Sequence, residues 1–340
     1  MINLLTLIVI ILAVIAIVRV VRVLELAAEL SGEDESVINK KDNQFNGILM
    51  MVFLILGVGA MIYFTLDAKK YLLPISASKH GVIIDKLLDV NWLLLVVVFL
   101  ITEFLLFYYA FRYHYRIENK ARFYPDNHKL EFVWTIIPTI VLGGMIVYGL
   151  AVWNKITAPA PKGAMLVEIY GKQFDWTVRY AGADKKLGRE SFRLISDDNP
   201  LGVDTTDANS KDDIITRELH LPLGVPILLK LRSRDVIHSA YLPHFRAQMN
   251  CVPGMTTEFF FEPTITTAQM KEYTHNEKFE YVLLCNKICG VAHYTMKMDV
   301  VCEEPEQFTK WVMKQNLVMP RAASASENKT TSSEIALTKK

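Results

Sequence analysis

Most of the chemistry in this chain lies in twelve consecutive residues, Cys285-Asn286-Lys287-Ile288-Cys289-Gly290-Val291-Ala292-His293-Tyr294-Thr295-Met296. They place two thiols four apart, an imidazole four beyond and a thioether three beyond that. Thiolate, imidazole and thioether together favour copper among the biological metals. His238, in Arg234-Asp235-Val236-Ile237-His238-Ser239, supplies a second imidazole if strand and loop bring it to the same point. A single copper wants one thiolate, two imidazoles and a weak axial thioether. The second thiolate exceeds that need, so a pair of coppers bridged by both sulfurs fits the ligand count better. Two other readings stay open on the residues alone. A structural zinc site of two cysteines and two histidines would leave Met296 unused, and a disulfide between Cys285 and Cys289 would close a tight loop.

The remaining soft residues are plainer. Cys251 and Cys302 match no ligand position, and buried free cysteines are common. His220, His244 and His275 lack soft neighbours and read as surface groups. No C-x-x-C-H occurs, so no haem c is attached to this chain.

Short alternating segments must position the ligand loop. Residues 165–170, 174–180, 214–221, 226–231, 258–261, 279–284 and 297–301 read as strands, separated by turn signals such as Gly171, Gly182, Gly224 and Pro253-Gly254. Several short strands without long intervening helical patterns argue for a sandwich or barrel. Residues 182–213 are polar and read as a surface excursion. Residues 304–316 read as a terminal amphipathic helix, and residues 322–340, rich in Ser, Thr and Lys, as disordered.

The chain has 340 residues, 51% of them hydrophobic, with 37 basic and 36 acidic side chains. That balance argues against nucleic-acid binding, which needs a basic excess or patch. Mean hydropathy of +0.23 beside 21% charged residues points to very apolar segments joined to an ordinary polar domain. Four stretches are candidate membrane spans: residues 2–18 (continuing to about Val23), 46–66, 91–111 and 132–153. At about 1.5 Å of rise per residue, roughly 20 residues cross a hydrocarbon core of about 30 Å. The first stretch is shorter but reaches the interface if Arg19 and Arg22 snorkel. It reads as a retained anchor rather than a cleaved signal peptide, because its charges follow the apolar run.

Loop 112–131 carries Arg112, Arg116, Lys120, Arg122 and Lys129 against Glu118, Asp126 and Glu131, which places it on the cytoplasmic side. Alternation then puts the polar half, from about Lys155, outside, although the loop 67–89 is also rather basic. Glu103 falls mid-span, where a lone ionised carboxylate is costly. It reads either as a contact for a partner subunit or a proton-handling group, or as a protonated group bonded to a neighbouring helix.

The C-x-x-x-C-G-x-x-H-x-x-M loop, the upstream Asp235-Val236-Ile237-His238-Ser239 and Val252-Pro253-Gly254-Met255 resemble the binuclear copper (CuA) domain of cytochrome c oxidase subunit II. Asn127-His128-Lys129-Leu130-Glu131-Phe132-Val133-Trp134-Thr135-Ile136-Ile137-Pro138 resembles the entry to that subunit's second membrane helix. The resemblance covers about residues 85–312. It implies an α+β membrane protein, with transmembrane helices followed by an external cupredoxin-like β-barrel. The expected organisation is two additional helices over 1–68, a transmembrane hairpin over 69–156, the copper domain over 157–316 and a tail over 317–340.

Carried over residue by residue, Cys285 and Cys289 would bridge two coppers and His238 and His293 would bind one each. Met296 and the Lys287 backbone carbonyl would be axial ligands. Glu131 would stand at the entry of a proton pathway. The family's G-x-Q-W-x-W is here Gly171-Lys172-Gln173-Phe174-Asp175-Trp176, so Phe174 replaces the usual electron-entry tryptophan, and Trp176 keeps the second. Lys287 replaces a glutamate that reaches a magnesium ion, so that site is expected to be absent or altered.

The resemblance implies an electron-transfer subunit in the inner membrane with its copper domain on the periplasmic side. Its partners would be subunit I with haems and CuB, subunit III, membrane lipid and a c-type cytochrome donor. The residues 157–319 carry 21 acidic and 19 basic side chains, a net of −2, which is weak steering for a basic soluble donor. A membrane-tethered or complex-bound donor is therefore expected. A quinol-oxidase-type subunit II, a structural module, is the rival reading.

Overall fold

The structure, a computed structural model, describes residues 2–30, 40–116, 118, 120–315 and 317–318. Apart from Leu317 and Val318, the tail expected to be disordered lies outside the described residues. Four helices satisfy their own backbone groups, as lipid requires: α1 (Ile2–Leu30), α2 (Lys40–Asp67), α3 (Lys79–Arg112) and α4 (His128–Ile156). All four are long and apolar enough to cross a membrane. Each runs past the stretch expected from apolarity alone, because Lys, Asp and Arg end a hydrophobic run without ending a helix.

The chain divides into two units, Met1–Lys70 with Leu94–Glu131 and Tyr71–Leu93 with Phe132–Lys340. In the first, the start of α2 meets the end of α3. Lys40 Nζ lies 2.8 Å from Glu118, and the Asn43 amide donates to the Tyr115 carbonyl at 2.8 Å. Gly47 is buried there, with the His114 ring 3.4 Å from where a Cβ would stand.

The second unit holds the strands β1 (Met165–Lys172), β2 (Asp175–Tyr180), β3 (Ile214–Thr216), β4 (Leu219–Pro222), β5 (Ile227–Ser233), β6 (His238–Leu242), β7 (Ala247–Cys251), β8 (Thr257–Phe261), β9 (Tyr281–Cys285) and β10 (Lys297–Glu303). They form two five-stranded sheets, ordered β3-β2-β1-β5-β8 and β4-β10-β9-β6-β7. β1 pairs with β5 in parallel and β10 with β4 in parallel, while the remaining pairs are antiparallel. Alternation in β5 sends Ile227, Leu229 and Leu231 inward, where they meet Trp176, Phe245, Phe261, Tyr281 and Leu283 in one core. Burying an apolar side chain of this size contributes about 1.5–3 kcal/mol.

Two strands, β6 and β7, were not among those expected. β6 is opened by the polar pair His238-Ser239, and β7 alternates with Gln248 and Asn250 facing out, so neither looks hydrophobic. A short helix α5 (Thr267–Thr274) was also unexpected, although its start carries a capping box between Thr266 and Gln269. The terminal helix α6 spans Pro305–Val312, and its Trp311 stacks on His220 with ring centroids 4.0 Å apart.

The excursion 182–213 is not wholly superficial. Leu201 and Val203 pack on Tyr170, and Ser210 and Asp213 are fully buried. The cause is Arg179, buried on β2, which takes the Gly188 carbonyl at 3.2 Å and Asp213 at 3.3 Å from this segment.

The strap ahead of α3 is sewn into the same unit. Ala77 N–H donates to the His244 carbonyl at 2.7 Å, and Ser78 Oγ to that of Phe245 at 2.6 Å. Arg246 clasps Asp85 at 2.9 and 3.0 Å.

Candidate metal centre

The antiparallel pair β9–β10, with Leu284 opposite Lys297, closes the ends of the loop 286–296. Cys285 N–H donates to the Met296 carbonyl at 3.1 Å, and Asn286 N–H to that of Ser239 at 2.9 Å, which ties the loop to β6. In the register of β6 with β9, Ala240 faces Cys285, so His238 stands beside the loop. Gly290 has φ +145°, and a Cβ there would come within 2.8 Å of Gln173 Nε2 and 3.0 Å of the Phe174 ring. Glycine is therefore required on both counts. The Gln173 amide donates to the Cys289 carbonyl from the other sheet.

This scaffold brings the donors together. His238 Nδ1 lies 3.7 Å from Cys285 Sγ, and Cys285 Sγ lies 4.0 Å from Cys289 Sγ. Cys289 Sγ in turn lies 3.5 Å from His293 Nδ1 and 3.8 Å from Met296 Sδ. The Lys287 carbonyl is 3.3 Å from Cys285 Sγ. His238, Cys285, Cys289 and Met296 are buried and His293 is half-buried.

Both cysteines are free thiols. Burial, and next the neighbouring Cys285, push the Cys289 thiol up to about 11. A metal must therefore displace protons on entering. Five soft side-chain donors exceed a tetrahedral zinc set, and thioether with thiolate suits copper.

His238 has its other nitrogen engaged, with Nε2 2.9 Å from Asp235. Burial acts to raise the Asp235 carboxyl, but bonds from Gln173 N–H, the His238 ring and Val236 N–H outweigh it and hold the group below the usual carboxylate range. A histidine ligand is commonly oriented this way by an outer carboxylate. Asp235 and Gln173 were missed as site residues. The i−3 carboxylate before a candidate histidine was the available signal for Asp235, whereas Gln173 reaches the site only through the sheet arrangement.

Phe174 is half-buried against Gly290, while Trp176 is fully buried with its ring 5.9 Å from His238. The Lys287 side chain is exposed. Glu131 lies in the first turn of α4, capped by Asn127 and 3.1 Å from His128, where a carboxylate also suits the helix dipole. Glu103 is half-buried in α3.

Two histidines read as surface groups are not. His220 is buried, 2.7 Å from Glu303, because α6 closes over it. His244 is half-buried between Phe279 and Tyr281, with its Nδ1 buried. His275 is exposed and caps α5.

The transmembrane-domain model of cytochrome C oxidase subunit II matches residues 67–152, and that family's periplasmic-domain model matches residues 165–303. The chain belongs to the cytochrome c oxidase subunit II family. Helices α1 and α2 precede nearly all of the matched residues. The alternative cytochrome c oxidase subunit 2 of Bradyrhizobium diazoefficiens is 34% identical over 270 residues, covering 78% of this chain and 91% of that one. Cytochrome c oxidase subunit 2 of Thermostichus vulcanus is 24% identical over 266 residues, covering 71% and 77%. The periplasmic domain of subunit II of cytochrome oxidase from Bradyrhizobium japonicum is 23% identical, covers 46% of this chain and 95% of its own, and has a TM-score of 0.30. This subunit II is thus a membrane-bound part of a haem-copper oxidase complex with an external cupredoxin-like domain. The family implies a copper centre, and His238 with Cys285 and Cys289 forms a group able to hold metal.

Proposed function

We propose that this subunit carries electrons one at a time. In this reading Cys285, Cys289, His238, His293, Met296 and the Lys287 carbonyl would together hold a pair of coppers. The observation that supports it is the convergence of five side-chain donors and one carbonyl, with the two thiols facing each other and each meeting an imidazole. When bound, such a copper pair supplies one-electron transfer with little change in coordination.

The chain's own residues keep that arrangement fixed. Asp235 holds the His238 ring so that Nδ1 faces the sulfurs, and Trp176 backs the ring. Gln173 and the glycine at 290 stop the loop from relaxing away.

Electrons arrive from a c-type cytochrome at the external, periplasmic face and pass to haem in subunit I. That subunit, with its haems and CuB, would supply the reduction of oxygen to water and the coupled proton pumping. Phe174, at the rim of the ligand loop, takes the electron-entry position, since Trp176 has no exposed surface. Glu131 stands at the cytoplasmic end of α4 as a proton-pathway entry into subunit I. Subunit III completes the complex in the inner membrane. Lys287 puts a cation where the magnesium-binding glutamate would stand, so the magnesium site is absent or altered. The quinol-oxidase alternative is not favoured, because the whole ligand set is present.

The test is electron paramagnetic resonance with copper analysis on the purified oxidase containing this chain. One electron shared by two equivalent copper nuclei is expected. A single-copper pattern, or zinc in place of copper, overturns the proposal.

A further inference from the structure

The chain passes from α4 into the β domain through residues 157–164, a segment that holds Pro159, Pro161 and Gly163 at φ +86°. A domain hung on one such linker is free to rock against its neighbour. The strap ahead of α3 supplies a second, non-covalent attachment, and Ala77 and Ser78 within it have no exposed surface. The Ala77 carbonyl accepts from Thr264 N–H at 2.8 Å, its own N–H goes to His244, and Lys79 N–H donates to the Glu262 carbonyl at 3.1 Å. Residues 262–264 leave β8 in the first sheet, whereas residues 243–246 join β6 to β7 in the second. The strap therefore grips both sheets at once, beside the start of α3.

Arg246 is the hub of this contact. Its backbone stands at φ +52°, a left-handed conformation uncommon for a long side chain, and its side chain is 8% exposed. The guanidinium meets both Asp85 oxygens, at 2.9 and 3.0 Å, and donates to the Pro243 carbonyl at 2.7 Å and to that of Pro74. One group thus joins the helix, the strap and the β6–β7 connection. A two-pronged charged contact of this kind fixes angle as well as distance. The helix passes so close that a Cβ at Gly81 would collide with Ser76 Oγ and come within 3.0 Å of Arg246 Cγ. A backbone held away from its usual conformation by side-chain bonds points to a constraint with a use.

The use follows from what lies at the other end of β6. That strand runs from His238 to Leu242, and its Ala240 faces Cys285 on β9, so the connection that Arg246 grips is the far end of the strand that delivers a metal donor. We propose that Arg246 is a positioning residue for electron transfer: with Asp85 and the strap, it sets where the metal centre stands over α3. The inference rests on the electron-transfer role proposed above and assigns part of it to a residue that is not among the donors. Electron tunnelling falls off exponentially with distance. A domain that rocks by about an ångström loses rate while its donor set stays whole, as small misplacements from remote changes do elsewhere.

The purified oxidase is compared as wild type, Asp85→Asn, Arg246→Gln and the double variant, with Lys79→Met as a control that removes only an exposed ion pair to Glu262. A nitroxide on Lys86→Cys, exposed on α3, gives the copper-to-nitroxide distance distribution by pulsed electron paramagnetic resonance. A photoreducible ruthenium complex injects one electron, and its passage from copper to haem is timed by absorbance. Both single variants are expected to keep the wild-type copper resonance, to broaden the distance distribution and to slow copper-to-haem transfer about tenfold. The double variant is expected to be no slower than Arg246→Gln, because both changes break one contact. Lys79→Met is expected to match the wild type.

A distance distribution or a copper-to-haem rate left unchanged in both single variants overturns the inference, as does an equal slowing in Lys79→Met. So does loss of the copper resonance in Asp85→Asn, since the clasp would then serve the folding of the metal centre and not its placement. Should Arg246→Gln fail to assemble, Asp85→Asn decides alone, because it removes a charge and keeps the shape. A wild-type preparation without the two-copper resonance instead sinks the electron-transfer reading itself, so the two failures are distinct.

Discussion

Each of the two sheets buries a polar cluster, and the clusters differ in how their groups are satisfied. On the first sheet, buried Arg179 lies 2.8 Å from Glu168 and 3.3 Å from Asp213, while Arg232 reaches the other Glu168 oxygen at 2.8 Å. Glu190 approaches both guanidinium groups, at 3.6 and 3.4 Å. Two guanidinium groups and three carboxylates answer one another there, although Arg179 Nη2 and Asp213 Oδ1 keep no hydrogen-bond partner among the described residues. On the second sheet, two thiols, two imidazole nitrogens and a thioether face inward at 3.5–4.0 Å. These are weak donors and acceptors for one another. A buried cluster of paired opposite charges is architecture, whereas a buried group of soft donors that converge without strong partners is able to hold a metal.

The sharpest way to break this contrast is to remove one sulfur. Cys285→Ser is expected to abolish two-copper binding and electron transfer while leaving the β domain folded, as read by copper analysis and circular dichroism. Unchanged respiration in the variant would defeat the contrast outright. The complementary change, Arg179→Met, leaves Glu168 and Asp213 buried with one cation fewer. It is expected to cost about 3–5 kcal/mol of unfolding free energy, the usual penalty for breaking a buried pair. At low temperature its copper content should match the wild type. A variant that kept its stability and lost copper would show that the two clusters are one system.

The sequence made the ligand cluster more legible than the ion cluster, for a physical reason. Soft ligands are rare, and four of the five side-chain donors sit within twelve residues, so their spacing pointed to copper while leaving zinc or a disulfide open. Arg179, Glu168 and Asp213 are common residue types far apart in the chain, and only the β1–β2 pairing of Glu168 with Arg179 brings the first two together. The same limit explains β6 and β7. Outward Gln248 and Asn250 hide the alternation in β7, and the buried polar pair His238-Ser239 hides β6, the strand that delivers His238. The apolar helices were legible from composition, but their ends were not, because a charge stops a hydrophobic run more readily than it stops a helix.

A smaller effect is expected from the group that orients one ligand. Asp235→Asn keeps the shape but weakens the acceptor facing His238 Nε2. Loss of an outer-shell partner typically lowers metal affinity about 10- to 100-fold. Competition with a copper chelator measures this, and an unchanged midpoint would mean that the ring is held by packing against Trp176 alone.

The smallest effect belongs to His244, a polar group in neither cluster. Burial, and next the charge of Arg246, lower its pKa from 6.5 to about 4. Between those two values the unfolded chain binds a proton that the folded chain refuses, so stability must fall as pH drops from about 6.5 to about 4. Asp213 pulls the other way. Burial raises its carboxyl to about 6 despite Arg179, so from about pH 4 to 6 the folded state holds a proton that the unfolded state releases. Stability from this group therefore falls as pH rises through that window. The informative quantity is the difference between wild type and His244→Gln in denaturant unfolding at several pH values. The variant should lose an acid-side decline on the order of 1 kcal/mol, once solvent screening of a half-buried group is allowed for. Parallel curves would mean that His244 is already reached by water in the folded state.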